Sequence, residues 1–505
     1  MPFLTHENSA ELLANETYPM LYAYQKNGNI AISTDKTEDA VCFQLPNMTA
    51  ERFGDPEFKK EYSLKYALYG GAMANGIASS DMVIALGKAG FMGSYGAGGM
   101  SLAAIAAEID KIKSALGDKP YMINMLSNRN ADAEMQLAKL LVEKEVPAVE
   151  ASAYIVPSGA LIYYRLKGIY RDETGRIVIP RKIIAKISRE EVMEKFVSPP
   201  NAAQTEALVR AGLLTAEEAS LAAQIPMADD ITVEADSGGH TDGRPLVSIL
   251  PALIAFADRI QKKYSYQKKV RVGAGGGIGT GLSCLGAFQL GAAYVVTGSV
   301  NQACVEAGTS AYVKKVLSET AMADVTMAPC ADMFESGAKV EVIKKGTMYP
   351  QNAQKLYEYY TKYPSFDAIP AVERERIEKR ILKDTFTNIW NATKEYFAKV
   401  NPAQIAAAEK DPKQKMALVF RWYLGRSSRW AVTGEASRTL DMQIWCGQSM
   451  GAFNLWVKDT PLALPENRKV AEIAFLLMDS CAYHYMKSAL RLMGVDTSAW
   501  KADRI

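Results

Sequence analysis

A chain of 505 residues, 49% hydrophobic and 23% charged, is globular and long enough for two or three structural units around a large core. Its 58 lysines and arginines against 56 acids leave a net charge of +2, which with no basic run gives no footing for nucleic acid or a charged membrane surface. Six scattered cysteines, without a CxxC pair or a histidine close in sequence, form neither a disulfide framework nor a zinc motif and predict a reducing compartment. The N-terminus MPFLTHENSAELLANE lacks basic and apolar signal regions, and the longest apolar stretch, around Leu246–Ala257, falls short of a membrane span, so the expected location is cytoplasmic.

Residues 1–60 carry turn residues and short apolar runs, Ile30–Ile32 and Ala40–Phe43, and are expected to form an N-terminal extension with a little strand. From Tyr66 onward β-rich runs alternate with segments of helical period, the pattern of a parallel sheet covered by helices. Strands are predicted at Tyr66–Gly70, Phe91–Ser94, Tyr121–Leu126, Ala148–Ser152, Ile183–Ile187, Ile231–Ala235, Val270–Gly273 and Tyr294–Thr297. Eight strands is the barrel count, so the predicted class is α/β, a (β/α)8 TIM barrel over residues 61–345. Ser101–Leu116 opens on a serine and stops at Gly117, as a helix should, and Ser80–Ala89 and Thr280–Leu290 are shorter versions. After the fifth strand, residues 188–229 are rich in alanine, leucine and glutamate and predict a helical insertion. Past Gly346 strands stop, and helices predicted at Asn352–Tyr363, Ala371–Ala398 and Val470–Leu492 make residues 346–505 a C-terminal helical region packed on the barrel.

Three glycine-rich turns follow predicted strands: VEADSGGHTDGRP ending at Pro245, VRVGAGGGIGTG from Val270, and AAYVVTGS from Ala292. Glycines there let backbone N–H groups close on a phosphate. GAGGGIGTG is not a dinucleotide fingerprint, because no start among its glycines gives G-x-G-x-x-G and the next strand does not end in an acid. A Walker A loop is absent as well. The turns Gly276–Gly277 and Gly298–Ser299 match the barrel phosphate site after strands seven and eight. This pattern leaves flavin mononucleotide (FMN), pyridoxal phosphate and a phosphorylated sugar open, with FMN ahead; a pyridoxal imine would need a lysine such as Lys186 at the end of strand five. Glycines serving tight turns alone are the plain structural alternative. His240, one of three histidines, lies between Gly239 and Thr241 in a rim loop with little apolar face, which favours a chemical role.

The motifs YGGAMANGIAS from Tyr69, AGFMGSYGAGGMS from Ala89, INMLSN from Ile123, ITVEADSGGHTDGRP from Ile231, VRVGAGGGIGTG from Val270 and VVTGSVNQACVEAGTS from Val295 resemble the nitronate monooxygenase and FMN-dependent enoyl reductase superfamily. With YLGRSSRWAVTGEASRTLDMQIWCGQSMGAFN from Tyr423, the chain is similar within it to the PfaD-like trans-acting enoyl reductases of polyketide and polyunsaturated fatty-acid synthases. The resemblance implies FMN with its phosphate on Gly276, Gly277, Gly298 and Ser299 and its ring approached by Gly70, Gly71, Ala72 and Met73. Asn124 would meet the pyrimidine edge, and Gly239 is a further cofactor contact. Lys186 would stabilise negative charge on reduced flavin or on the enolate oxygen, and Glu150 at the end of strand four is similarly placed. His240 would protonate Cα or contact substrate or cofactor, with Asp236, Ser237 and Asp242 as candidate orienting groups.

The implied reaction passes hydride from NADPH to flavin and then to Cβ of an α,β-unsaturated thioester on acyl carrier protein, within a synthase complex. Arg426, Arg429 and Arg438 are candidate contacts for the phosphopantetheine arm or an acidic carrier surface. A homo-oligomer stays open, and no metal is implied. Two other readings stand beside this one: a nitronate monooxygenase with His240 as base, and a non-catalytic flavoprotein docking component of a synthase complex.

Overall fold

The computed structural model describes residues 4–5, 7–26, 29–37, 41–128 and 130–503. Eight parallel strands close into a barrel: β1 (Leu68–Gly70), β2 (Met92–Tyr95), β3 (Met122–Leu126), β4 (Ala148–Ser152), β5 (Lys182–Ile187), β6 (Asp230–Glu234), β7 (Arg271–Gly275) and β8 (Val295–Thr297). They are neighbours in chain order, and β8 closes on β1 with Val295, Val296 and Thr297 opposite Leu68, Tyr69 and Gly70. All eight predicted strands are present, each within two residues of its expected ends. Continuous apolar runs such as Ile183–Ile184–Ala185 suit strands buried on both faces by surrounding helices.

Helix starts follow local capping chemistry. Ser79, Ser101 and Ser158 each accept a hydrogen bond from the N–H three residues on, and the Ser101-capped helix Leu102–Leu116 ends at Gly117 with φ +57. Residues 188–229 form the expected insertion as helices Glu190–Val197, Ala202–Arg210 and Ala216–Leu221, the last opened by a Thr215–Glu218 capping box. The N-terminal part is more ordered than expected: Met20–Lys26 pairs antiparallel with both Asn29–Ser33 and Val41–Pro46. Ala40, at the edge of one expected run, lies outside the described residues.

Below the rim the barrel holds a buried charge pair. Arg271 Nε and Nη2 donate to the Asp230 carboxylate at 2.6 and 3.0 Å, Tyr62 Oη donates at 2.7 Å, and the guanidinium lies over the rings of Phe58 and Tyr62. Burial still lifts the Asp230 carboxyl to about 6, against the pull of Arg271. A cavity of about 380 Å³ opens beside this end of the barrel, lined by Arg52 and Asp55 together with Lys269, Arg271 and Ala292, where the chain enters β7 and β8, and not by their glycine turns.

The chain divides into two compact units. One takes in everything up to Asp236, Asp242–Gly308 and the chain from Leu455 onward; the other is Ser237–Thr241 with Thr309–Asn454. This differs from the expected boundary at residues 345 and 346. In the barrel unit, helix Val470–Leu492 packs on helix Gly281–Gln289 so closely that a Cβ at Gly281 would stand 2.0 Å from Ser480 Oγ. The same helix contributes Tyr483, Met486 and Leu490 to a core with Leu13, Leu21 and Ile32 of the N-terminal part.

In the second unit, Lys339–Ile343 pairs antiparallel with Val325–Pro329 on one side and Gly239–His240 on the other, a sheet that the sequence pattern does not predict. Helices Tyr349–Lys362 and Pro412–Thr433 belong to this unit. The helix expected over Ala371–Ala398 is broken: a π turn, Ile377–Leu382, ends at Lys383 with φ +56, and Thr385 caps a new helix, Phe386–Val400. Among the described residues no helix is long and apolar enough to cross a membrane. Removing the cation beneath the barrel tests the energetics: Arg271→Ala leaves the Asp230 carboxylate buried and unpaired, and is expected to lower unfolding free energy by about 3–5 kcal/mol in urea melts.

Candidate active site

Glu150 on β4 has no exposed surface, and its oxygens are held by Tyr69 Oη at 3.1 Å and by the Ala72 N–H at 2.7 Å. Tyr69 also bonds Thr232 of β6 at 2.9 Å, and Thr232 in turn bonds Tyr294 at 3.1 Å, so one hydrogen-bonded layer crosses the barrel interior. On β5 the Lys186 ammonium stands 2.7 Å from Glu234 at the end of β6. Burial alone would lower its pKa, but the Glu234 and Glu150 carboxylates outweigh burial and the net shift is upward. Lys186 is thus held as a cation by carboxylates of β4 and β6.

The first rim loop is fixed from two sides. Ala72 is clamped by Glu150, and a Cβ on Gly96, in the loop after β2, would stand 1.8 Å from the Met73 carbonyl oxygen. Gly276 is required by packing, since a Cβ there (φ +88) would meet the Ala235 and Asp236 backbone at 2.7 to 2.8 Å, whereas one at Gly70 would meet a Leu86 methyl at 2.6 Å and displace that side chain. At Gly71 it would meet Val296 at 3.0 Å. Gly277 (φ +73) and Gly298 differ, because nothing lies within 4 Å of their Cβ positions. Gly298 also precedes the short helix Ser299–Gln302. Open, side-chain-free backbone after both β7 and β8 fits a phosphate-bearing cofactor.

Asn124 is turned inward. Its Nδ2 donates to the Glu150 carbonyl and to Ser152 Oγ, both at 3.0 Å, which leaves Oδ1 as its group for a ligand.

In the second unit, Gly239 (φ +84) and His240 form the short edge strand, opposite Glu341 and Val340. A Cβ on Gly238 would meet the backbone of Cys446 and Gly447 at 2.7 Å, so the glycine pair before His240 answers first to close packing and a left-handed conformation. His240 Nε2 lies 3.2 and 3.1 Å from the two oxygens of Asp332, and Cys330 completes a cluster whose donor atoms all lie within 4.8 Å of one another. Hydrogen bonds to Asp332 and then to Cys330 push the imidazole up to about 10; burial raises the Asp332 carboxyl, but the hydrogen bond and charge of His240 outweigh it and bring Asp332 down to about 2.

Of the orienting groups expected from sequence, the Asp242 carboxylate is engaged elsewhere. Asp242 is bound by Arg189 at 2.9 and 3.0 Å and by Ser188 at 2.6 Å, and the Asp236 N–H donates to the Arg244 carbonyl. Asp332 escapes sequence reasoning because it stands 92 residues from His240 and nothing local links them. Ser237 Oγ is buried with no partner among the described residues. Arg438 is structural: it donates to the Ile381 and Leu382 carbonyls at 3.1 and 2.5 Å and covers the Trp430 ring. Arg426 and Arg429 are exposed on Pro412–Thr433.

Residues 57–359 match the family model described as nitronate monooxygenase. The chain belongs to that family. Residues 363–442 also match the inserted helical domain of [acyl-carrier-protein] S-malonyltransferase. Over 472 residues the chain is 44% identical to one of the polyunsaturated fatty acid synthase proteins of a Thraustochytrium species, covering 92% of this chain and 32% of that protein. It is 42% identical over 472 residues to polyketide biosynthesis protein PksE of Bacillus subtilis, covering 93% and 61%. It therefore spans less than two thirds of either relative. The solved enoyl reductase domain of MlnA, from the macrolactin biosynthesis cluster of Bacillus amyloliquefaciens, superimposes with a TM-score of 0.84 at 38% identity, covering 88% of this chain and 99% of that one.

These relatives make this nitronate monooxygenase family member a PfaD-like one, and an oxidoreductase by class. The Asp332–His240 pair is testable in this family member without turnover. Because the imidazole pKa is raised and the Asp332 pKa lowered on folding, the pair's contribution to stability is complete between the unfolded values of about 3.9 and about 6.5, and is lost as pH rises through the folded His240 value or falls through the folded Asp332 value. Asp332→Asn is expected to move the His240 titration downward, read by NMR of the imidazole carbons.

Proposed function

We propose that this chain is an FMN-dependent enoyl-thioester reductase acting in trans within a polyketide or polyunsaturated fatty-acid synthase, with NADPH as hydride donor and an enoyl chain on acyl carrier protein as substrate. The observation that carries the reading is the open backbone at Gly277 and Gly298, after β7 and β8, in a chain 38% identical to the MlnA enoyl reductase domain over 99% of that domain. When bound, the flavin supplies hydride transfer from the nicotinamide to Cβ of the thioester.

The chain's own residues bind, orient and move the proton. Gly276, Gly277, Gly298 and Ser299 would hold the phosphate through their backbone, with Gly276 serving mainly to keep the turn in shape. Gly70, Gly71, Ala72 and Met73 form the loop against the ring, and Glu150 keeps that loop in place through the Ala72 N–H. Asn124 accepts at the pyrimidine edge through Oδ1. Lys186, a cation at the end of β5, offsets the negative charge that develops on flavin or thioester oxygen. His240, in the turn that follows β6, delivers a proton to Cα, with Asp332 holding the ring through Nε2 and Gly239 giving the turn its left-handed bend. The match of residues 363–442 to a helical domain of an acyl-carrier-protein transferase supports a carrier-bound substrate, with Arg426 and Arg429 as exposed cations for it.

Nitronate oxidation is the second reading, favoured by the family match itself. Anaerobic mixing separates the two: the proposal expects NADPH to bleach the flavin and crotonyl or longer enoyl thioesters, on coenzyme A or carrier protein, to restore its colour. Bleaching by a nitroalkane alone would overturn it. His240→Ala is expected to retain flavin and lose turnover by about 10²–10⁴-fold. Gly298→Asp, whose side chain enters open space at an ordinary φ of −130, is expected to purify folded and colourless because a carboxylate opposes the phosphate.

A further inference from the structure

We propose that His240, Cys330 and Asp332 form a three-ligand site for Zn(II). The three side chains are separated by up to 92 residues in sequence but are gathered by one sheet. Lys339–Ile343 is its central strand, with Gly239–His240 on one edge and Val325–Pro329 on the other, so that Val340 stands opposite both His240 and Ala328. Cys330 follows the outer strand directly, and its N–H donates to the Ala338 carbonyl at 3.1 Å. Two ligands are therefore fixed by ladder or near-ladder hydrogen bonds, and Asp332 is positioned by its contact with His240.

The donor set suits zinc. One imidazole nitrogen, one thiolate and one carboxylate oxygen are the ligands of zinc, whereas calcium and magnesium take oxygen almost alone. Bonds of about 2.0 Å to nitrogen and oxygen and about 2.3 Å to sulfur put tetrahedral donors roughly 3.3–3.5 Å apart, so donors now within 4.8 Å need close by only about 1 Å. Cys330 is buried while His240 and Asp332 are exposed, so an ion enters from solvent and keeps a fourth position for water. Zinc would occupy Nε2, the atom that faces Asp332. On the reading of His240 as proton donor, a filled site therefore stops turnover, and zinc becomes a reversible inhibitor.

Binding is measured first, without turnover, on tag-free holoenzyme carrying Cys42→Ser, because Cys42 is the exposed thiol. Competition against a chromophoric chelator is expected to give one Zn(II) per chain, and Co(II) is expected to give a thiolate charge-transfer band in difference spectra. Cys330→Ser should abolish that band, and Cys330→Ser and Asp332→Asn should each weaken zinc by more than about tenfold, the scale on which even outer-sphere partners act. No stoichiometric metal in the parent protein, or an affinity unchanged in either variant, overturns the site. Turnover with and without zinc, each variant against its own zinc-free rate, is then the separate arm. Zinc bound through these residues without inhibition supports the site and counts against His240 as proton donor.

Discussion

A carboxylate inside a β-barrel is costly unless each of its oxygens has a partner, and Glu150 satisfies that condition in a way that organises the rim around it. Tyr69 of β1 and the Ala72 N–H of the following loop bind it, and its charge helps hold Lys186 as a cation. Tyr69 passes the network on to Thr232 and Tyr294. One buried charge thus ties the first rim loop to β4 and, through Tyr69, to β6. Without it the loop that would approach a flavin ring would lose a donor's partner, and Lys186 would lose one of the two carboxylates that overcome its burial.

The glycines divide on the same physical grounds. Some are small because another backbone or side chain already fills their space, as at Gly70, Gly96, Gly238 and Gly276. Others, Gly277 and Gly298, are small with nothing beside them. Gly277 also needs glycine for its left-handed φ of +73, and at both positions the open space leaves room for a ligand. A glycine-rich motif read as one phosphate cradle is therefore two things at once, a set of close packings that shape the turn and a few open positions that the turn presents.

The second unit solves a different problem, keeping a half-exposed imidazole in one orientation. A lone histidine in a glycine turn has no such restraint. Pairing Gly239–His240 as an edge strand on Lys339–Ile343 supplies it, because the register then brings the segment after Val325–Pro329 to the same end of the sheet. Asp332 and Cys330 arrive there together. Arg438, by contrast, has its guanidinium bound to the carbonyls that end the Ile377–Leu382 turn and is not open to a carrier protein.

How much of this the sequence determined follows from the range of each interaction. Strand and helix identity rest on local period and capping, so the eight barrel strands, the Ser101-capped helix and the insertion after β5 were legible, as were the glycine turns after β7 and β8 and the family itself. The unit boundary and the packing of the last helix on Gly281 depend on contacts far apart in sequence, and the break at Lys383 is met by contacts from Ser437, Arg438 and Asp441; periodicity encodes neither. His240 could be singled out as a residue type in a turn, but its partner could not, because Asp332 reaches it only through a three-stranded register. The chain alone specified which chemical groups stand at the ends of strands; the closed barrel and the small sheet decided which of those groups touch, since burial and hydrogen-bond pairing are properties of neighbours in space.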